Sequence, residues 1–302
     1  TLVPVTDAQL TELDKWIYTE LNAAAKAETE ALESYRYNDA ASAIYEFFWY
    51  KFCDWYVEAT KLSFWHGDDG EKDRAVSVLL NILEESLRLL HPFIPFVTEE
   101  IYAKLPRAEI IENRKKAGAQ KILPNETYSD LLVTAPFPRH TKERDDAKVT
   151  ARFNVLQDLI RQVRGLRNEC GIDPASKINI AVHVVPGSDA EVCKEKTDII
   201  KLLAGLSNAD FVDAKPKSSI GTVGNGFEAF ILLDDNIDKE TLKKHFDKDL
   251  QKATNDAQRI EAKLGGKFAE HAPREVVQAE RDNLAETKRR IEKINSYIEE
   301  LK

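Results

Sequence analysis

The sequence predicts a mainly α protein in three parts: a helical bundle over 1–140, a small α/β domain over 141–235, and an antiparallel two-helix coiled coil over 236–302. Three observations carry this. Apolar residues recur every three or four positions through most of the first part, β-branched runs interrupt helical ones in the second, and an apolar residue returns every seven positions in the third. With 302 residues and 43% hydrophobic side chains, the chain can bury more than one core.

In the first part the helical period runs through 9–33, 38–62, 73–90 and 97–105, and Pro92 and Pro95 in HPFIPF separate the last two. Short links between such helices make a bundle. From 106 to 140, Pro106, Pro124, Pro136, Pro138 and a basic RKK at 114–116 predict irregular chain with a short strand at 131–134.

The second part opens with a helix over 147–169 that places Leu156, Leu159, Val163, Leu166 and Cys170 on one face, and Gly171 with Pro174 ends it. KINIAVHVV at 177–185 is a β-branched strand, 189–204 reads as a helix, and 209–215, 219–223 and 227–233 are strand-like. GTVGNG at 221–226 has the glycines of a phosphate loop, but strand-like residues follow it rather than a helix start, so it reads as a turn between strands.

In the third part Phe246, Leu250, Ala253, Ala257, Ile260 and Leu264 step by fours and threes, and Val277, Leu284, Ile291 and Ile298 step by sevens. Gly265, Gly266 and Pro273 lie between the two series, so the chain turns back as a hairpin. At 1.5 Å per residue each helix spans roughly 40 Å. Two helices cannot build a broad core, which predicts a projecting arm.

Composition narrows the chemistry. Cys53, Cys170 and Cys193 are widely spaced and odd in number, which argues against disulfides and fits a reducing compartment. The six histidines lack ligand spacing, so no metal site and no catalytic residues are assigned. There is neither an apolar run of membrane length nor a secretory leader pattern, and a cytoplasmic location is expected. The absence of Met, even at position 1, predicts a piece of a longer chain. The net charge of −9 is uneven: −8 over 1–140, −2 over 141–235 and +1 over 236–302. Net acidity disfavours nonspecific nucleic-acid binding, yet affinity follows local stripes rather than totals.

YEFFWYKFCDWY at 45–56 holds eight of the 26 aromatic residues. At 100° per residue, Tyr45, Phe48, Trp49, Phe52, Trp55 and Tyr56 share an arc with Ile44, Ala59 and Leu62, and that arc reads as core. Phe47 and Tyr50 fall on the opposite arc with Lys51, Asp54, Glu58 and Lys61. Either a neighbouring segment covers them, or they form a platform on which an unpaired base stacks while Lys51 and Lys61 meet phosphate. Arg161, Arg164 and Arg167 lie beside an apolar helix stripe, where they read as a solvated face with phosphate contact as the alternative. Arg259, Lys263, Lys267 and Arg274 surround the arm's turn and outnumber the local acids, which reads either as a solubilising coiled-coil surface or as a basic tip that touches a distant phosphate backbone.

RYNDAASAIYEFFWYKFCDWYVEATK (36–61) followed by LHPFIPFVTEEIYAKLP (90–106) resembles the helical anticodon-binding domain of class I aminoacyl-tRNA synthetases of the valine, isoleucine, leucine and methionine group. KFAEHAPREVVQAERDNLAETKRRIEKINSYIEEL (267–301) is similar to the coiled-coil arm of the valyl-tRNA synthetases, and the middle VRGLRNECGIDP (163–174) falls in matching order. The chain lacks the paired cysteines of the zinc module common in isoleucine enzymes, which favours the valine branch.

The resemblance implies the tRNA-recognition portion of an enzyme, a monomer that grips the anticodon stem-loop of tRNA(Val) with the bundle and the outer tRNA corner with the arm. Valine and ATP with magnesium would be handled in a catalytic domain whose HIGH-like and KMSKS-like motifs this chain does not contain. It also favours Phe47 as the ring that meets an anticodon base. Two alternatives stand beside it: another synthetase of the same group, and a helical scaffold whose coiled coil docks a protein partner.

Overall fold

The computed structural model describes residues 1–118, 129–266 and 268–301. They form two compact units, Thr1–Asn154 and Val155–Lys302.

The first unit is helical. Helix α1 (Glu12–Glu33) starts at a capping box, in which Thr11 and Asp14 satisfy each other's backbone N–H groups. It buries Trp16, Ile17, Leu21, Ala24, Ala25 and Ala31. A second helical run follows as α2 (Tyr37–Glu46), a π-helical segment (Phe47–Val57) and α3 (Glu58–His66). Helix α4 (Asp69–Leu90) also opens with a capping box, formed by Asp68 and Glu71. Helix α5 (Pro95–Lys104) starts on a proline in its first turn.

Over 107–116 the chain departs from the irregular structure its prolines predict and forms helix α6 (Arg107–Lys116), while 119–128, with Pro124, lie outside the described residues. Ile110 and Ile111 are buried, and Arg114 reaches α4 to bond Glu84 at 2.9 Å and Asn81 Oδ1 at 2.9 Å. The first residue of the basic run is therefore an internal ligand for α4. The expected strand at 131–134 is a 3₁₀ turn over Leu132–Thr134. Leu132 packs against Leu87 and Tyr102 there, and its N–H donates to the Glu99 carboxylate at 2.9 Å.

Within the second unit, α7 (Ala147–Glu169), which begins in the first, places Leu156, Leu159, Val163, Leu166 and Cys170 in the core as its spacing predicts. Strand β1 (Ile178–Val184) is followed by two short helices, α8 (Val192–Glu195) and α9 (Thr197–Ala204), in place of one continuous helix. The break is at Lys196, which leaves helical dihedrals (φ −114°, ψ 32°), and the Thr197 hydroxyl donates to the Lys194 carbonyl at 2.9 Å.

Strands β2 (Leu206–Phe211), β3 (Ser219–Gly224) and β4 (Phe227–Leu232) complete a sheet of order β2-β1-β4-β3. Strand β2 begins earlier and ends earlier than its apolar run suggests, and it pairs parallel to β1. GTVGNG ends β3, and Asn225 with Gly226, whose φ is +79°, makes the two-residue hairpin turn into β4.

Helices α10 (Lys239–Gly265) and α12 (Arg274–Glu300), with the short α11 (Phe268–His271) between them, form the antiparallel hairpin. Ala253, Ala257, Ile260, Val277 and Ile294 lie buried along it. Among the described residues no helix is long and apolar enough to cross a membrane.

Candidate nucleic-acid interface

The aromatic run divides differently from the 100° wheel. Phe47, Phe52 and Tyr56 are buried, Phe48 and Trp55 are half-buried, and Tyr45, Trp49 and Tyr50 are exposed at 53%, 51% and 52%. The reason is the π-helical segment. Bonds closing from i to i+5 make each turn wider than an α turn, so residues four and five apart share a face. Phe47, Phe52 and Tyr56 follow that spacing inward, while Trp49 and Tyr50 of the segment, with Tyr45 from the end of α2, face outward. Phe47, expected on the surface, is thus a core residue at 1% exposure and has no face to offer a base. Tyr50 is exposed as its position predicts, whereas Tyr45 and Trp49 move from the expected core to the surface.

The three outward rings form one surface. Tyr45 and Trp49 lie nearly parallel with centroids 6.5 Å apart, and Tyr50 meets Tyr45 edge-on at 6.0 Å. Asn38 and Ser42, at helical spacing before Tyr45, are exposed on the same helix. Such a face offers a flat apolar support with polar groups beside it, which suits a nucleobase.

The two lysines expected to flank the platform are engaged elsewhere. Lys51 bonds the carboxylate of buried Glu20 on α1, and Lys61 donates to both oxygens of Glu58 at 2.7 and 2.6 Å.

Of the three α7 arginines, Arg161 and Arg164 are exposed and only Arg167 is buried. Arg167, 5% exposed, donates to the carbonyls of Ala204, Gly205, Asp173, Pro174 and Ser176 at 2.5–3.1 Å. Burial lowers its pKa, with the nearby Arg164 adding to the effect. Gly205, in the left-handed region at φ +68°, ends α9, and a Cβ there would lie 2.6 Å from Arg167 Nη1. Arg164 donates twice to the Leu203 carbonyl at 2.8 and 2.5 Å, and Arg161 reaches Gln157 at 3.4 Å. Arg164 and Arg167 both bond carbonyls at the end of α9, but Arg164 stays exposed, as the solvated-face reading expects, whereas the burial of Arg167 departs from that reading and from phosphate contact alike. The residues they fasten are distant in sequence, which spacing along α7 cannot reveal.

On the arm, Arg259 is 77% exposed and pairs with Asp256 at 2.9 Å. Lys263 bonds Glu280 and lies 4.3 Å from the Phe268 ring centre. Arg274 is exposed at the start of α12, and Lys267 lies outside the described residues. A larger basic feature escaped the sequence reading. Lys244, Lys248 and Lys252 recur every four residues along α10, all exposed and turned away from the seam of Leu242, Phe246, Ala253, Ala257 and Ile260. Arg259 extends this row toward the arm's turn. The heptad period that located the seam also locates this opposite face, so the signal was present.

Two family descriptions match parts of the chain. Residues 14–182 match the family described as the anticodon-binding domain of tRNA ligase, and residues 236–302 match the valyl tRNA synthetase tRNA binding arm. The chain is similar to the valine–tRNA ligase of Treponema denticola, at 50% identity over 99% of this chain and 32% of the relative. It is also similar to those of Treponema pallidum (40% identity, 98% of this chain, 32% of the relative) and Thermotoga maritima (33%, 97% and 31%). The chain thus spans about a third of the length of the curated relatives it matches. From residues 14–182 the chain belongs to the anticodon-binding domain family of tRNA ligases, and from residues 236–302 it carries the tRNA-binding arm of the valyl members.

Proposed function

We propose that this chain is the tRNA-recognition portion of a valine–tRNA ligase, in which Tyr45, Trp49 and Tyr50 receive unstacked anticodon-loop bases and the α10 lysine row holds the tRNA backbone. The carrying observation is the set of three half-exposed rings on one helix face, inside the residues matched to an anticodon-binding domain. A soluble domain ordinarily turns such rings inward, and an exposed cluster of them marks a binding surface.

The labour divides by segment: 1–140 reads the anticodon, 141–235 connects, and 236–302 reaches the outer corner. Valine activation with ATP and magnesium belongs to the part of the relatives' length that this chain does not span. The working protein is a cytoplasmic monomer.

The test is tRNA binding by the 302-residue chain and its Trp49→Ala variant, with helicity measured alongside. A stacked base contributes about 1–3 kcal/mol, so affinity should fall about 5- to 150-fold in a folded variant. Equal affinity overturns the platform. Valine tRNAs should outcompete isoleucine and methionine tRNAs. The absence of a gel shift with total tRNA at either low or moderate salt would favour a protein scaffold instead.

A further inference from the structure

A two-helix arm joined to its neighbours through one short link after β4 would swing about that link unless its root were held. The root is crowded with polar contacts to the end of α7. The Glu169 carboxylate takes the Lys293 ammonium at 2.7 Å and the Tyr297 hydroxyl at 3.2 Å, both from α12. The Glu169 backbone carbonyl lies 3.1 Å from His245 Nε2 of α10. Gly171, at φ +63°, lets the chain pass under the His245 ring, and a Cβ there would fall 2.8 Å from Nδ1. One turn further along α10, Asp249 takes Arg290 of α12 at 3.1 Å.

Beneath these contacts Phe246 and Tyr297 are buried with ring centres 5.4 Å apart. A single exposed ion pair does little for rigidity, but a network that joins three helices over a buried aromatic pair restrains their angle. We infer that Glu169 is a positioning residue that fixes the direction of the arm before tRNA arrives, so that the bound orientation is already populated in the free protein. This rests on the function proposed above for the arm. Glu169 itself touches no tRNA in this scheme and acts through Lys293 and Tyr297.

The experiment measures the arm's direction and its binding separately. Spin labels at Val223→Cys on β3 and Gln278→Cys near the arm's turn, in a Cys53→Ser background, report the distance distribution; Cys170 and Cys193 are buried. Glu169→Ala should broaden a narrow parent distribution, and Glu169→Gln, which keeps an acceptor for Tyr297 but loses the charge facing Lys293, should fall between them. Lys293→Gln provides a second variant that leaves the Tyr297 bond intact and should also broaden it.

Affinity falls in proportion to the population of the competent orientation. Glu169→Ala should therefore bind tRNA about five- to tenfold more weakly with an unchanged salt slope, because no phosphate contact is lost. Distributions of Glu169→Ala and Lys293→Gln that superimpose on the parent would overturn the inference, as would a reduced salt slope in Glu169→Ala. Failure of the parent chain to bind tRNA would instead count against the proposed function, and the distances would still decide whether Glu169 holds the arm.

Discussion

Glu28 on α1 is fully buried, and neither of its carboxylate oxygens has a hydrogen-bond partner among the described residues. Burial with nothing to offset it pushes its carboxyl from 4.5 up to about 8. The folded protein therefore keeps this proton where the unfolded chain has released it. Stability should fall as pH rises from about 4.5 to about 8 and level off above, with this group contributing on the order of a few kcal/mol. Urea midpoints for the parent and Glu28→Gln at pH 5.5 and 8.5 check this: the parent should lose stability between the two and the variant should lose less. Arg167 is the opposite case, a buried charge whose Nη1 and Nη2 groups donate to five carbonyls. Arg167→Met should destabilise the second unit by about 3 kcal/mol, because it strands the buried Ala204 carbonyl and leaves four part-buried ones without their donor. Gly205→Ala should also destabilise, through its left-handed backbone and the displaced guanidinium. Thermal melts of the two variants test both.

The π-helical segment Phe47–Val57 turns the aromatic run at the scale of a single element. Seen residue by residue the run is only hydrophobic, and its helical nature was legible from its period. Which rings face out depends on whether bonds close at i+4 or i+5, and local sequence does not announce that choice. The two outcomes separate experimentally. Phe47→Ala should cost about 3–5 kcal/mol of stability, as loss of a buried Phe does. Trp49→Ala should change stability by less than about 1 kcal/mol while weakening tRNA binding. Denaturant unfolding of the two variants reports the difference directly. The same dependence on distant partners explains α6, whose Arg114 completes a buried site with Glu84, Glu85 and Asn81 that the prolines around it conceal.

At the scale of the molecule, the charge is −9 in total while the arm's segment is slightly basic, so electrostatic attraction for a polyanion comes from the α10 row rather than from the whole. Each phosphate contact contributes roughly 0.7–0.9 to the logarithmic salt slope. Replacing Lys244, Lys248 and Lys252 together with Gln should therefore flatten the slope by about 2 and weaken binding without regard to anticodon. Binding titrations across a salt series check it, and an unaltered slope would leave the row as a solvated helix face.

Composition and periodicity alone settled the mainly α class, the long helix over 147–169, the sheet segment and the heptad hairpin, because each rests on a repeat within one stretch of chain. The local resemblance of 36–61, 90–106 and 267–301 was likewise enough to point to the family. Tertiary structure decided the rest: that Phe47 is core and Trp49 surface, that Lys51 belongs to Glu20, and that Arg164 and Arg167 hold the end of α9. Those outcomes depend on which groups meet across tens of residues. A buried donor or acceptor is claimed by whatever partner the fold brings within reach, and spacing along a single helix carries no record of that partner.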